Sequence, residues 1–252
     1  MKIIFSNLGY AKGISGSLLH HLRYLGRHLY TSPFAQNAVL KQFRKIIEDE
    51  VPDVCCLVEV DQGSFHSAYY NQIRALMDDV YHFHDVAHKY GERSWLNHAP
   101  LHRGKSNALL ARAIYPFKRL YFSYGSKRLI YRVDLPQNTT LFFAHFSLQR
   151  KVRALQMVEM RALALACNGP VIILADFNIM QGFQELRPLI EGTDLTVLND
   201  ENVPTFTFHR RTMALDLCIC SQQLAAQAQL KVVPQPFSDH AALLVEVPIP
   251  TV

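Results

Sequence analysis

Residues 171–180 read VIILADFNIM. Val171 to Leu174 are all apolar and three of them are β-branched, so the run reads as a buried strand. It closes on Asp176 and Asn178, with Phe177 between them. Residues two apart along a strand share a side. The spacing therefore predicts that the carboxylate and the amide face one cleft. A core strand ending in two polar groups is rigid scaffolding that carries chemistry at its tip.

The same arrangement recurs along the chain. KIIFSN ends in Asn7, VCCLVE in Glu59 and LFFAH in His145, while ALD opens its strand on Asp216. After QPF come Ser238, Asp239 and His240, just before the closing strand ALLVEV. Singly, each tip is ordinary. A strand-end Asn or Asp is more often a turn or a cap, and a lone His is more often a hydrogen-bonded structural residue. As an ordered set in one chain they are not accidental.

Two helical patterns interrupt the strands. Residues 34–50 place Ala35, Val39, Phe43, Ile46 and Ile47 on one face, and residues 148–166 do the same with Val152, Leu155, Val158, Leu163 and Ala166. Between residues 106 and 147 strands follow one another with no helix, which implies antiparallel pairing and a mixed sheet. Strand–helix–strand units flank that stretch. A two-sheet α/β core covered by helices, one domain over residues 1–252, is the economical architecture.

Composition bounds the rest. Hydrophobic residues are 49% and charged residues 19%, enough for a sizeable core. Net charge is +5 with a pI near 8.9, which favours an anionic partner. The five Cys are odd in number and show no CxxC spacing, so reduced, buried thiols are expected rather than disulfides or a zinc site. No apolar run reaches the roughly 18 residues of a spanning helix, and MKIIFSNLGY is too short a stretch for a secretory signal. A cytoplasmic location is the expectation.

These tips resemble the endonuclease/exonuclease/phosphatase superfamily, the deoxyribonuclease I-like fold. FSN is similar to its first-strand Asn motif. LVEVD is similar to its Gln-Glu block, with Val58 where Gln is usual, and SNALLAR to its GNAILSR strand. FAHFSL resembles the strand with the catalytic His, and LADFN resembles GDFN with Ala175 replacing Gly. PTFTFHRRTMALDLCIC resembles the segment that carries the family's Asp, and FSDHAALLVEV the closing SDH block. The resemblance implies a four-layer α/β/β/α sandwich of two packed mixed sheets and Mg²⁺-dependent phosphoester hydrolysis, with Mn²⁺ as a substitute.

On that resemblance Glu59 is the primary metal ligand, Asn7 assists, and Asp239 is a second carboxylate. Magnesium is hard and keeps most of its waters, so one or two carboxylates suffice. Asp176 orients and deprotonates the attacking water, and Asn178 offers an amide hydrogen bond. His240, polarised by Asp216, faces the phosphate, and His145 is a second imidazole that stabilises charge or acts as acid. Asn107, in SNALLAR, is a substrate-binding candidate.

Two regions bear on substrate choice. Residues 14–30 place Ile14, Leu18, Leu22, Leu25 and Leu29 in a helical stripe, with His20, His21, Arg23, Arg27 and His28 around it. The plain reading is a surface helix packed on the core. The sharper reading is a basic amphipathic cap that meets a membrane surface or nucleic-acid phosphate. Residues 82–105 collect five His, four Lys/Arg and the single Trp. They read as a solvated substrate-side loop, ahead of a structural loop or a transition-metal tract. Arg103, Lys105, Arg210 and Arg211 are candidates to meet a phosphate. Nucleic acid is the leading substrate class. The alternatives are a phospholipid, sphingomyelin or inositol-phosphate head group, and a non-catalytic binding module.

Overall fold

A computed structural model, describing residues 1–100 and 102–251, gathers twelve strands into two six-stranded sheets and leaves a separate two-stranded hairpin. The first sheet draws on β1 (Lys2–Asn7), β2 (Val54–Asp61), β3 (Phe83–His88) and β4 (Lys105–Ala111). The second draws on β5 (Phe117–Tyr121), β6 (Leu129–Leu135), β7 (Thr139–His145), β8 (Val171–Asp176) and β9 (Leu195–Val197). β10 (Phe206–Phe208) and β11 (Arg211–Met213) form the hairpin. β12 (Asp216–Ser221) joins the second sheet, and β13 (Gln229–Val233) and β14 (Ala242–Glu246) the first. The orders are β13-β14-β1-β2-β4-β3 and β5-β6-β7-β8-β12-β9.

Within the two large sheets only β1–β2 and β7–β8 pair in parallel. A parallel neighbour requires a crossover. In the second sheet it is the helix α4 (Arg150–Leu165); in the first, a longer connection holding α1 (Leu18–Arg23) and α2 (Pro33–Glu50). α3 is Gln72–Leu76. The Ser32 side chain accepts from Ala35 N at 3.3 Å and Pro33 sits in the first turn, so α2 starts where its sequence dictates. Every other pairing is antiparallel, so the end of each parallel strand shares an edge with the start of its antiparallel neighbours.

Three apolar clusters define four layers. Phe5, Val58, Leu243, Phe143, Leu174 and Cys218 interdigitate between the sheets. Val39, Phe43 and Ile47 of α2, with Ile73 and Leu76 of α3, cover the first sheet. Met157, Met160 and Ala164 of α4 cover the second. The expected α/β/β/α sandwich is therefore what forms. All five thiols are free, four of them buried. Among the described residues no helix is long and apolar enough to cross a membrane.

The structure corrects three expectations. α4 turns a different face inward: Arg153, Gln156, Met157 and Met160 are buried, while Leu155 and Val158 are exposed. Polar fixation explains the rotation. Arg153 pairs with Glu185 and donates to the carbonyls of Ser147 and Leu148, both at 3.0 Å. Gln156 donates to the carbonyls of Tyr124 and Lys127 at 2.9 and 2.8 Å. Residues 82–105 are not one loop, because Phe83–His88 pairs with β4 as an edge strand. Residues 14–30 do not form one core-packed helix. α1 buries no residue, a 3₁₀ turn follows it, and of the stripe only Ile14 is buried.

The rotation of α4 gives a direct test. Met157→Ala removes a fully buried side chain and should cost about 2–5 kcal/mol by chemical denaturation. Val158→Lys, on the exposed face, should fall within roughly 0.5 kcal/mol of wild type.

Candidate active site

One edge of the sandwich collects the polar tips. His145 lies opposite Asp176 across the parallel β7–β8 pair, and Asp216 lies opposite Asp176 on the other side. Three of the acids and imidazoles are thus set side by side by strand register alone. The central atom is Asp176 Oδ2. Asn7 Nδ2 donates to it at 3.1 Å, His145 Nε2 lies at 3.1 Å, and His240 Nε2 at 3.9 Å. His240 Nδ1 in turn meets Asp216 Oδ2 at 2.7 Å, and the Phe206 ring packs on its imidazole. Thr205 Oγ1 accepts from Leu215 N and Asp216 N at 3.0 and 2.8 Å, which fixes the start of β12.

Glu59 arrives by a local irregularity. The β2–β4 register shifts between Leu57 and Val60, and Glu59 takes a left-handed φ of 54°. A bulge of this kind re-aims a side chain. Val54, Cys56 and Val58 face the inter-sheet core; after the bulge Val60 faces the α2 side instead. Glu59 is thereby released to the polar edge. Its backbone N–H donates to Asn107 Oδ1 at 3.4 Å, so Asn107 steadies the bulge. Glu59 Oε1 lies 3.7 Å from His145 Nδ1, so His145 spans the two acidic centres.

Asn178 departs from the expected geometry. The strand ends at Asp176, and Asn178 sits beyond it at φ 53°. Its backbone N–H donates to Asp176 Oδ1 at 3.1 Å, and its side-chain amide donates to Phe146 O at 3.0 Å. It therefore braces Asp176 rather than extending the strand's cleft-facing side. Phe177 explains the break: it is buried and stacks on Phe146 at 4.7 Å.

Two lysines absent from the sequence reading complete the site. Lys89, just beyond β3, is buried, lies 3.7 Å from Glu59 Oε1 and bonds the Tyr10 hydroxyl. Tyr10 itself donates to Glu59 at 3.3 Å. Lys127, just before β6, contacts His145 Nε2. The antiparallel β6–β7 pairing places Lys127 there, because the start of β6 lies beside the end of β7. A search of strand starts as well as strand ends finds it. Recognising β3 inside the His-rich tract finds Lys89.

The charges follow from these contacts. Burial raises the Glu59 carboxyl, but Lys89, then His145 and Lys127, outweigh it and hold Glu59 well below the usual carboxylate range. Burial lowers Lys89 to about 8 against the pull of Glu59. Burial and Lys127 lower His145 to about 4, so it is neutral near pH 7. Burial acts to lower His240 too, yet Asp216 and then Asp176 raise it to about 10, so its imidazole is charged. Asp176 is pushed up by burial and brought well below its ordinary value by His145 and His240.

The remaining candidates divide. Asp239 lines a cavity of about 90 Å³ together with Glu59, Lys12, His21 and His28. The Lys105 ammonium lies 5.2 Å from the Tyr10 ring, close to the Glu59 end. Arg103 borders a different concavity with His88, Glu92 and His98. Arg210 and Arg211 are on the exposed hairpin beside Leu18 and Leu19. The structure brings neither Arg103 nor the two hairpin arginines into the acid–imidazole cluster.

The endonuclease/exonuclease/phosphatase family model matches residues 26–240. No curated protein matches the chain. Among solved structures, truncated Caenorhabditis elegans TDP2 is similar at 14% identity, with 98% of this chain and 96% of that one covered and a TM-score of 0.65. The human Nocturnin catalytic domain with bound sulfate anion matches at 13% identity, 99% and 94% coverage, and TM-score 0.62. The Bacteroides thetaiotaomicron VPI-5482 mannosyl-6-phosphatase Bt3783 matches at 13%, 98% and 99%, and 0.58. Identities this low establish a shared fold. The family match spans most of the length and takes in the polar edge from Glu59 to His240, and with it the chain belongs to the endonuclease/exonuclease/phosphatase family of hydrolytic enzymes.

Proposed function

We propose that this protein hydrolyses a phosphoester with the help of Mg²⁺, Mn²⁺ serving as a substitute. The observation that carries the reading is the convergence of Asn7, His145 and His240 on one oxygen of Asp176, next to the Glu59 carboxylate. A carboxylate held that low is a weak proton acceptor but a good acceptor of hydrogen bonds. Asp176 therefore orients the attacking water. The His240 imidazolium, anchored by Asp216, is a charged donor aimed at the pentavalent transition state. His145, neutral near pH 7, sits between the Glu59 and Asp176 carboxylates as a second imidazole facing the phosphate site rather than as an acid.

The donor set fits a hard divalent cation. Asp176, Asp216 and His240 bring ligand atoms within 4.8 Å of one another. However, His240 Nδ1 is committed to Asp216, so this trio is a hydrogen-bonded unit. Glu59 and Asp239 are the better donors, because both carboxylates line one small cavity. Burial pushes Asp239 above its ordinary range, a sign that a nearby positive charge would be well placed. The Asn7 carboxamide oxygen accepts from Gly9 N at 3.1 Å and keeps a second lone pair. When bound there, Mg²⁺ supplies charge neutralisation on the phosphoryl oxygens and the leaving group.

On substrate, two readings stand. Nucleic acid comes first by net charge, yet the cations that would line its track are scattered over separate concavities. A lipid or inositol-phosphate head group is favoured by the exposed leucines of α1 beside the site. A binding module without catalysis would show no turnover to remove.

Hydrolysis of bis-p-nitrophenyl phosphate with Mg²⁺ tests the reaction. EDTA should abolish it. Asp176→Asn and His240→Ala should each lower turnover by about 10²–10⁴ while circular dichroism stays unchanged. Wild-type rates in either variant would refute the roles given. A second test reads the metal without turnover. Lys89→Met leaves Glu59 without its nearest cation and should destabilise the protein in EDTA by about 2–3 kcal/mol. Added Mg²⁺ should then raise its melting temperature more than it raises that of wild type. An equal or smaller rise would remove Glu59 from the ligand set.

A further inference from the structure

Leu8, Ala11 and Ile14 are buried, but beyond them residues 15–30 are held to the protein by backbone and polar groups, not by apolar ones. Arg27 donates to the carbonyls of Lys12 and Gly13 at 2.9 and 3.4 Å. His209 N donates to Gly16 O at 2.6 Å, and a Cβ on Gly16 would lie 1.9 Å from Thr207 O, so only glycine lets the segment seat on the hairpin. Ser17 caps α1 by accepting from His20 N at 3.2 Å. Its inner side serves the site: His21 and His28 line the same cavity as Glu59 and Asp239.

The outer side is apolar. Leu18, Leu19, Leu22, Leu25 and Leu29 are between 54% and 78% exposed, and Phe34 at the start of α2 is 86% exposed. Packing within the fold does not account for them, since α1 buries nothing. The surface continues onto the hairpin. Leu18 and Leu19 share an open apolar concavity of about 730 Å³ with Phe208, Arg210 and Arg211. An apolar patch of this extent marks an interaction surface.

Charge selects the partner. No Asp or Glu occurs from Met1 to Ile47, and the hairpin stretch from Thr205 to Met213 has none either. Arg23, Arg210 and Arg211 are exposed around the leucines. We propose that this face docks on an anionic membrane surface, leucines entering the head-group boundary and arginines meeting lipid phosphates, with the active site turned toward the bilayer. Leucine clusters ringed by arginine suit that interface. Single-stranded nucleic acid calls instead for a row of aromatic stacking platforms, whereas here five exposed leucines outnumber Phe34 and Phe208. A second copy of the chain would set the same acid-free cations against each other. The inference places the proposed phosphoester hydrolase at a surface; it does not depend on which lipid is cleaved.

Vesicle sedimentation of the full chain in EDTA tests docking apart from turnover. Vesicles of phosphatidylcholine with about one-third phosphatidylserine should bind the protein at least tenfold more tightly than phosphatidylcholine alone, and less tightly as salt rises. The triple change Leu19→Ser, Leu22→Ser, Leu25→Ser should lose at least tenfold in binding, and Arg23→Gln roughly fivefold. Both should hydrolyse soluble bis-p-nitrophenyl phosphate at wild-type rates, which separates this surface from the reaction. Three outcomes would overturn the proposal: no binding to anionic vesicles, leucine variants that bind like wild type, or a dimer that the triple change converts to monomer. Loss of soluble turnover in every form, with vesicle binding intact, would instead strike the reaction class and leave the surface standing.

Discussion

Strand register is the constraint on which the rest of this molecule depends. β7 and β8 run parallel with His145 opposite Asp176, and β12 runs back with Asp216 opposite Asp176. A shift of one residue in either pairing would turn every side chain to the other face. Phe143 and Leu174 would leave the inter-sheet core, and the acids would leave the edge. The hydrophobic alternation that makes the core is therefore the same pattern that aligns the polar groups of the candidate site. Stability and geometry are specified by one set of residues, and the site needs no separate device to hold its centre.

Where the site does need a device, the backbone departs from regular geometry. Glu59 and Asn178 both adopt a left-handed φ without being glycine, at a cost of about 1–2 kcal/mol each. Each follows a strand whose ladder has just been interrupted or ended. Glu59 leaves the β2 ladder so that its carboxylate reaches Lys89 and Tyr10. Asn178 turns so that its backbone N–H meets Asp176. Neighbouring contacts hold both in place. Asn107 accepts from the Glu59 N–H, and the Phe146–Phe177 stack fixes the turn before Asn178.

Much of this was legible in the sequence, for a physical reason. Polar residues that bound an apolar strand run sit on rigid backbone and keep their order in the fold, so Asn7, His145 and Asp176 at strand ends, Asp216 and His240 at or just before strand starts, and Glu59 near the end of β2 are legible. What lay outside that rule was missed. Lys127 is set off from the apolar run of β6 by Arg128 and belongs to no motif, and Lys89 follows an edge strand hidden in a His-rich tract. Apolar periodicity points to the wrong face of α4 because Arg153 and Gln156, polar by composition, are buried by their hydrogen bonds to loop carbonyls and by the Glu185 pair. Periodicity weighs side chains by their usual preference. It carries no information on a buried polar group whose partners come from a distant segment.

The leucines of residues 18–29 show the complementary limit. Their helical spacing was real, yet it stated only that one face of a short segment is apolar. It did not state what that face meets. In a helix such as α2 the answer is the core, because an 18-residue element with a capped start cannot stand free of the sheet it covers. A six-residue helix followed by a glycine-containing 3₁₀ turn is different. Its fixation comes from Arg27, Gly16 and Ser17, all of which act through backbone groups, and so its leucines are left over by the fold. An apolar face that folding does not use, beside a site whose chemistry concerns an anion, is where a protein's surface and its reaction are selected together.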